Sequence, residues 1–465
     1  MNLINVSLEG SYLAPTSKDI NAIYSKFIPP KKQWTPVDTS LYKPSTFFTN
    51  YKQAQESLFP AIKYSFTHHF KNNTLYHSLC KGNDVTPEKI KNQEDILKIP
   101  LLPDTFFKDY PDDQNFLKWL NTIYTGELPK PSLQSSNPSH DEIIEAMNKL
   151  KINIMFTSGT SGKFSFIPRD AISWNRLNYN AIHSVIELMN YDYNDTVLLL
   201  IPDPRQTNLT IACLFGIAFE LYNPKNINIA LEKTQITTQF LRMQQAQAIG
   251  IREKIKAKAL AQFGPIVQKK SDKRMIQLMQ QKQKEGKKLN IAGPPFWLNR
   301  ILERMETEGI TLTLENSQVL TGGGWKAEED KRSPEDAFRE KVEKILGIPQ
   351  HQYHDVYAMS ECSSVFLSCE GHYKHIPPVI YPMVLDDELQ PLGYEETGRF
   401  AFIDPLPISY PGFIITGDQV KIYQDCPVCG REGPVLDIEV TRIPGVEGRG
   451  CATVMADLMK QEEYK

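Results

Sequence analysis

The sequence predicts an α/β fold with parallel strands and crossover helices, and three observations carry that prediction. Beyond about Lys151, short β-rich runs at 152–156, 197–202, 311–319 and 399–404 alternate with helical patterns, the order in which βαβ units build a sheet. Apolar residues fill 41% of the positions and charged ones 23%, enough to bury a core and inconsistent with a disordered chain. At 465 residues the chain exceeds one ordinary core, so one large domain with appendages or two domains is expected.

The elements follow in order. Residues 1–46 carry Pro29, Pro30 and Pro36 with little periodicity and read as an N-terminal arm over the main body. Between Phe47 and Cys80, Tyr51, Leu58, Ile62, Phe66 and Phe70 recur at helical spacing. The segment Ile99-Pro-Leu-Leu-Pro-Asp-Thr-Phe-Phe-Lys108 is apolar and proline-punctuated. From Lys233 to Lys288 the chain is rich in Lys, Gln and Ala, with Ile251, Ile255, Ala259 and Phe263 on one helical face. Exposed amphipathic helices are expected there, their lysines forming a solvated face. No internal repeat is present.

A formal charge of −3 gives no overall basic footprint, so nucleic acid or an anionic membrane as main partner has little electrostatic support. The longest apolar stretch, 209–222, is too short and interrupted to span a bilayer. Residues 1–15 lack the basic start and apolar core of a secretion signal, which makes the cytoplasm the expected compartment. Seven cysteines fit reduced thiols or metal ligands better than a disulfide framework. Five of them, Cys362, Cys369, Cys426, Cys429 and Cys451, lie in the last quarter.

The strongest chemical signal is Met155-Phe-Thr-Ser-Gly-Thr-Ser-Gly-Lys-Phe-Ser-Phe-Ile-Pro168, a loop directly after a β-rich run. Its glycines, Gly159 and Gly162, let the backbone approach a polyphosphate, and N–H groups with the hydroxyls of Thr157, Ser158, Thr160 and Ser161 supply donors. The glycine spacing is too short for a Walker A loop, and Phe164 stands where that motif needs Ser or Thr. Further along come Leu320-Thr-Gly-Gly-Gly-Trp-Lys326, Tyr357-Ala-Met-Ser-Glu361 and Thr416-Gly-Asp418. A carboxylate such as Asp418 has two oxygens that can accept two donors at once.

These four motifs, in this order, resemble those of the adenylate-forming superfamily. The resemblance implies its large N-terminal domain as the fold. Thr157, Ser158, Gly159, Thr160, Ser161 and Gly162 then cradle the phosphates of ATP, and Gly322, Gly323 and Gly324 lie under the adenine. Tyr357 stacks on the base, Ser360 touches the α-phosphate, Glu361 holds Mg²⁺ and Asp418 binds the ribose. Arg442 and Arg449 resemble the arginine and Gly-Arg hinge of phenylacetate-CoA ligase-like enzymes, where an arginine offsets charge developing during adenylation. The family's phosphate-loop lysine is displaced, since Phe164 and Ser165 occupy its Pro-Lys positions, leaving Lys163 or Arg169 to supply that charge. Ala358 replaces the usual glycine.

The chain ends sixteen residues after Arg449, which implies that the small C-terminal domain of CoA ligases is missing or vestigial. That resembles the LuxE-type acyl-protein synthetases over roughly residues 50–460, with an adenylate-forming domain over 47–450 and a tail, 451–465. In that family the acyl group passes from AMP to a cysteine near the C-terminus, and Cys451 in Gly448-Arg-Gly-Cys-Ala452 sits at such a place. The resemblance implies ATP-dependent activation of a carboxylic acid, in that family a fatty acid, with an acyl reductase or acyltransferase as downstream partner. An acid-CoA ligase of the phenylacetate type and a non-catalytic nucleotide-binding scaffold are the alternatives. Cys426-Pro-Val-Cys429 supplies half a tetrahedral zinc site. Cys369 and His375, spaced as in phenylacetate-CoA ligase-like relatives that carry a zinc, supply the other half, with His372 as rival ligand.

Overall fold

The hydrophobic runs fold as strands wherever both of their faces can be covered. The computed structural model describes residues 19–443 except 43–46, 49, 109, 112–114, 159–162, 233, 245–250 and 326–330. β1 (Leu102–Pro103) is a short strand, and β2 (Asn153–Phe156) pairs antiparallel with β3 (Phe166–Arg169) around the glycine loop. A six-stranded sheet follows: β4 (Thr196–Pro202), β5 (Ile227–Leu231), β6 (Leu289–Gly293), β7 (Gln318–Gly322), β8 (Tyr353–Tyr357) and β9 (Phe366–Leu367). Its spatial order is β5-β4-β6-β7-β8-β9. All neighbours pair parallel except β8 with β9.

Strand β4 shows why this sheet reads as a continuous apolar run. Val197, Leu199 and Ile201 enter one hydrophobic cluster while Leu198 and Leu200 enter a second on the opposite face, as alternate residues of a strand must. The helices Pro295–Thr307 and Glu335–Leu346 cover the second face. Because these strands are parallel, the C-terminal ends of β6, β7 and β8 share one edge, where open α/β sheets hold ligands.

The second sheet is mostly antiparallel: β10 (Lys374–His375), β11 (Tyr381–Leu385), β12 (Thr397–Asp404), β13 (Gly412–Tyr423), β14 (Val435–Leu436) and β15 (Thr441–Arg442). Its order is β10-β14-β13-β12-β11, with β1 and β15 also on β13. Two expectations are corrected here. The run 399–404 is an antiparallel strand, β12, joined through short turns instead of a crossover helix. Of 311–319 only the end is strand, since β7 begins at Gln318.

Ahead of the sheets lie the expected helices, Leu58–Asn72 and Thr74–Gly82. The helix Ala171–Leu188 starts where Asp170 accepts from the Ser173 N–H, an N-cap that satisfies an otherwise unpaired donor. From it the fully buried Arg176 grips Asp38 through two bonds (2.9 and 2.5 Å) and donates to Leu406 O (2.7 Å). Residues 19–42 are thereby clamped to the body.

The lysine-rich region forms one helix, Ile251–Lys284. Its second half is packed: Met275, Ile276 and Met279 are buried. Of the shared helical face at Ile251, Ile255, Ala259 and Phe263, Ile255 is 65% exposed; the side chains of the other three lie outside the described residues. Among the described residues no helix is long and apolar enough to cross a membrane.

Candidate active site

The edge formed by the ends of β7 and β8 meets the middle of β13, and the motifs converge there. At the base of the phosphate-type loop, Thr157 N–H donates to Ser165 O (3.2 Å) and Ser165 N–H donates to Thr157 Oγ1 (2.9 Å). Phe164, the departure from the family pattern, is buried against Phe156 and Phe166, and its N–H donates to Tyr110 Oη (3.3 Å). It anchors one end of the loop in the aromatic core. Gly159, Thr160, Ser161 and Gly162 lie outside the described residues.

β7 ends at Gly322, where a Cβ would stand 2.5 Å from Val356 Cγ1 on β8, so only glycine fits. Gly323 and Gly324 take φ of 81° and 67°, the left-handed region that glycine enters without strain. A Cβ on Gly324 would meet nothing within 4 Å, so a flat open shelf follows the strand. Beside it Thr321 Oγ1 donates to Asp355 Oδ1 on β8 (2.9 Å).

One residue beyond Val356, Tyr357 donates its hydroxyl to Asp418 Oδ2 (2.7 Å). β13 and β15 pair Asp418 with Arg442, so Arg442 Nε reaches Asp418 Oδ1 (3.1 Å). The antiparallel register thus assembles three of the expected residues. Burial pushes the Asp418 carboxyl above its usual pKa, against the pull of Arg442 and the Tyr357 bond. Burial and the Asp418 charge likewise hold the Tyr357 phenol well above 10.

Between Tyr357 and β9 the chain makes a buried loop containing Ser360 and Glu361. Buried loop carbonyls need donors, and Arg169 at the end of β3 supplies them, donating to Ser360 O (2.7 Å), Cys362 O (3.0 Å) and Tyr410 Oη (2.7 Å). This corrects one of the two candidates for the displaced lysine: Arg169 is fully buried and holds the loop, so it cannot reach a leaving pyrophosphate without abandoning those bonds. Glu361 accepts from Ser360 Oγ (2.9 Å). Burial raises its pKa, while Lys108 draws it down and Asp104 pushes it up. A buried carboxyl beside a hydroxyl is a donor set that suits a hard divalent cation.

Asp104 and Lys108, at the end of the proline-punctuated segment, also reach the site. β1 lies parallel on β13, and the turn Asp104–Lys108 behind it brings the two side chains into the site. Lys108 Nζ lies 3.4 Å from Asp104 Oδ2, and Arg442 lies 3.7 Å from the same oxygen. No local signal marked them, because their place depends on a pairing about 310 residues away in the chain.

On the far side of β13 the sulfurs of Cys369, Cys426 and Cys429 and the ring of His375 bring their ligand atoms within 4.8 Å of one another. Cys369 Sγ to Cys426 Sγ is 3.8 Å, and Cys429 Sγ to His375 Nε2 is 3.2 Å. Four ligands around a zinc with Zn–S near 2.3 Å stand about 3.8 Å apart at tetrahedral corners, whereas a disulfide needs about 2.05 Å. His372, the rival ligand, is not in this cluster. Phe48 packs its ring edge on His375 (5.1 Å), and Glu432 N–H donates to Phe48 O (2.8 Å). Cys451 and Arg449 lie outside the described residues.

The fold and this convergence define an adenylate-forming ligase. Its overall fold matches solved structures of 2-hydroxyisobutyryl-CoA ligase. One, with 2-HIB-AMP and CoA, has TM-score 0.53, is 13% identical and covers 90% of this chain and 75% of that one. Another, in the postadenylation state, has TM-score 0.54, is 11% identical and covers 90% and 74%. Residues 140–460 match the model of the LuxE acyl-protein synthetase family, and the chain belongs to that family. Two curated relatives are long-chain-fatty-acid–luciferin-component ligases. That of Vibrio harveyi is 24% identical and covers 85% of this chain and 86% of the relative. That of Aliivibrio fischeri is 22% identical and covers 89% and 91%.

Proposed function

We propose that the protein uses ATP to activate a long-chain fatty acid as its acyl-adenylate and then carries the acyl group as a thioester on Cys451. The observation that carries this reading is the meeting of Tyr357, Asp418 and Arg442 beside the Gly322–Gly324 shelf, with Glu361 a few residues away. In ATP-binding terms the shelf takes the base between backbone and Tyr357, and Asp418 turns its two oxygens from Tyr357 and Arg442 to two ribose hydroxyls. Ser360 and the hydroxyl-rich motif that starts at Thr157 and Ser158 would serve the phosphates.

In the first step a carboxylate oxygen attacks the α-phosphorus, and the bond to the β-phosphate bridging oxygen breaks, releasing pyrophosphate. Glu361 would hold a Mg²⁺ whose charge offsets that developing on the phosphates. Arg442 and Arg449 add positive charge near the ribose and α-phosphate. In the second step the Cys451 thiolate attacks the acyl carbonyl, the carbon–oxygen bond to phosphate breaks and AMP leaves; the thiol proton goes to solvent. The enzyme mainly positions its reactants. The thioester is passed to an acyl reductase or acyltransferase in the cytoplasm, and Cys369, His375, Cys426 and Cys429 hold a structural zinc.

Labelling with radioactive fatty acid, ATP and Mg²⁺, followed by a denaturing gel, tests the second step. Wild type retains a hydroxylamine-labile label, and Cys451→Ser releases pyrophosphate without retaining it. Label on Cys451→Ser would refute the assignment, and acyl transfer to free CoA at comparable rate would favour a CoA ligase.

A further inference from the structure

The overall charge of −3 conceals a strong local asymmetry. The helix Ile251–Lys284 holds ten Lys and Arg against two Asp and Glu, a net +8, leaving −11 on the rest of the chain. From Gly264 back to Lys254 none of the described side chains is buried, and among the described residues burial starts at Ser271. Lys254, Lys258, Lys269, Lys270 and Lys273 are exposed. So are Ile255 (65%) and Ile266 (62%). At about 100° per residue these seven positions fall within roughly 160° of arc, a single stripe some 30 Å long with the isoleucines along its middle. Asp272 falls at the edge of the same arc but is buried and paired with Arg300 (2.9 Å), so its charge is already neutralised.

We propose that this stripe docks the protein on an anionic phospholipid surface. The residue types select that occupant. All five charges are lysines, flexible point charges that suit a fluid array of headgroups, whereas protein interface cores are depleted of lysine and base readout relies on arginine forks. A basic helix with a few large aliphatic residues between its charges lies flat at the headgroup boundary, its lysine stems snorkelling outward. Charge complementarity supplies the attraction, and the acidic remainder of the chain is repelled, which fixes the docked orientation. The attachment is peripheral and independent of the acyl-activation reading, although a bilayer is also where a long-chain acid collects.

Flotation of the full chain with phosphatidylcholine vesicles, with and without phosphatidylglycerol, tests this without substrate. The protein binds only the anionic vesicles, and binding is lost at about 1 M salt, where the screening length is near 3 Å. The variant Lys254→Gln/Lys258→Gln/Lys269→Gln/Lys270→Gln binds at least tenfold more weakly, with unchanged melting and unchanged pyrophosphate exchange on a soluble acid; Ile255→Ser/Ile266→Ser weakens binding at constant charge. Equal binding to neutral vesicles would overturn the proposal. So would a quadruple variant that binds as wild type, or capture of a DNA duplex or an acidic protein in place of vesicles.

Discussion

Replacing Asp418 by Asn separates the nucleotide role of this carboxyl from any structural one. In the folded protein Oδ2 accepts the Tyr357 hydroxyl and Oδ1 faces Arg442 Nε. An amide keeps one acceptor and turns an N–H₂ toward the guanidinium. That clash is cheap, because the Arg442 side chain is 66% exposed and exposed ion pairs contribute only about 0–1 kcal/mol. Burial already disfavours the Asp418 charge despite both partners, so neutralising it raises the melting temperature. The nucleotide complex behaves differently. Two ribose hydroxyls need two anionic acceptor sites, and loss of one charge-assisted bond costs about 1.5–3 kcal/mol, or roughly 10- to 150-fold in KM for ATP. Pyrophosphate exchange against ATP concentration, with thermal melts of the same samples, measures both. An unchanged KM for ATP with intact melting would refute the ribose assignment.

Three further outcomes follow from the same geometry. Metal analysis is expected to find one zinc per chain, and Cys426→Ser to lose it together with several degrees of melting temperature; wild type isolated without zinc, or unchanged in melting once its zinc is removed, would remove the metal from the account. Arg176→Ala leaves Asp38 fully buried without its counter-charge, a loss of about 3–5 kcal/mol in unfolding free energy that denaturant titration measures, with KM values intact below the transition. Glu361 and Asp418 both have raised folded-state pKa values. Their contribution to stability is therefore complete below the unfolded pKa and is lost as pH rises through the folded one, while nucleotide binding needs both ionised. Falling pH should thus weaken Mg·ATP binding, with protons released on binding in calorimetry buffers of different ionisation heat, and should narrow the melting gap between wild type and Asp418→Asn; a gap independent of pH would contradict the burial argument.

What could be read from the sequence was whatever local pattern controls. The run 197–202 announced a strand, and the family resemblance pointed to the glycines at 322–324, the first of which leaves no room for a Cβ. Cys426-Pro-Val-Cys429 announced half of a ligand cluster, and the family resemblance added Cys369 and His375; β10 and the turn after β13 bring the four together. Long-range pairing was not legible. Asp104 and Lys108 enter the site only because β1 joins β13, and Arg169, read as a charge for pyrophosphate, is instead drawn inward to satisfy the carbonyls of Ser360 and Cys362. The helix Ile251–Lys284 departs for a related reason: its apolar spacing is regular, yet Ile255 is in solvent and, among the described side chains of the helix, burial starts at Ser271.

If Asp418, Tyr357 and Glu361 bind one ATP and activate a carboxylate, labelled pyrophosphate exchanges into ATP in the presence of fatty acid. Across a series of acids, exchange is expected to require both Mg²⁺ and a long-chain acid and to collapse in Glu361→Gln. Exchange absent with every acid in a well-folded protein, or equal with and without acid, would contradict it.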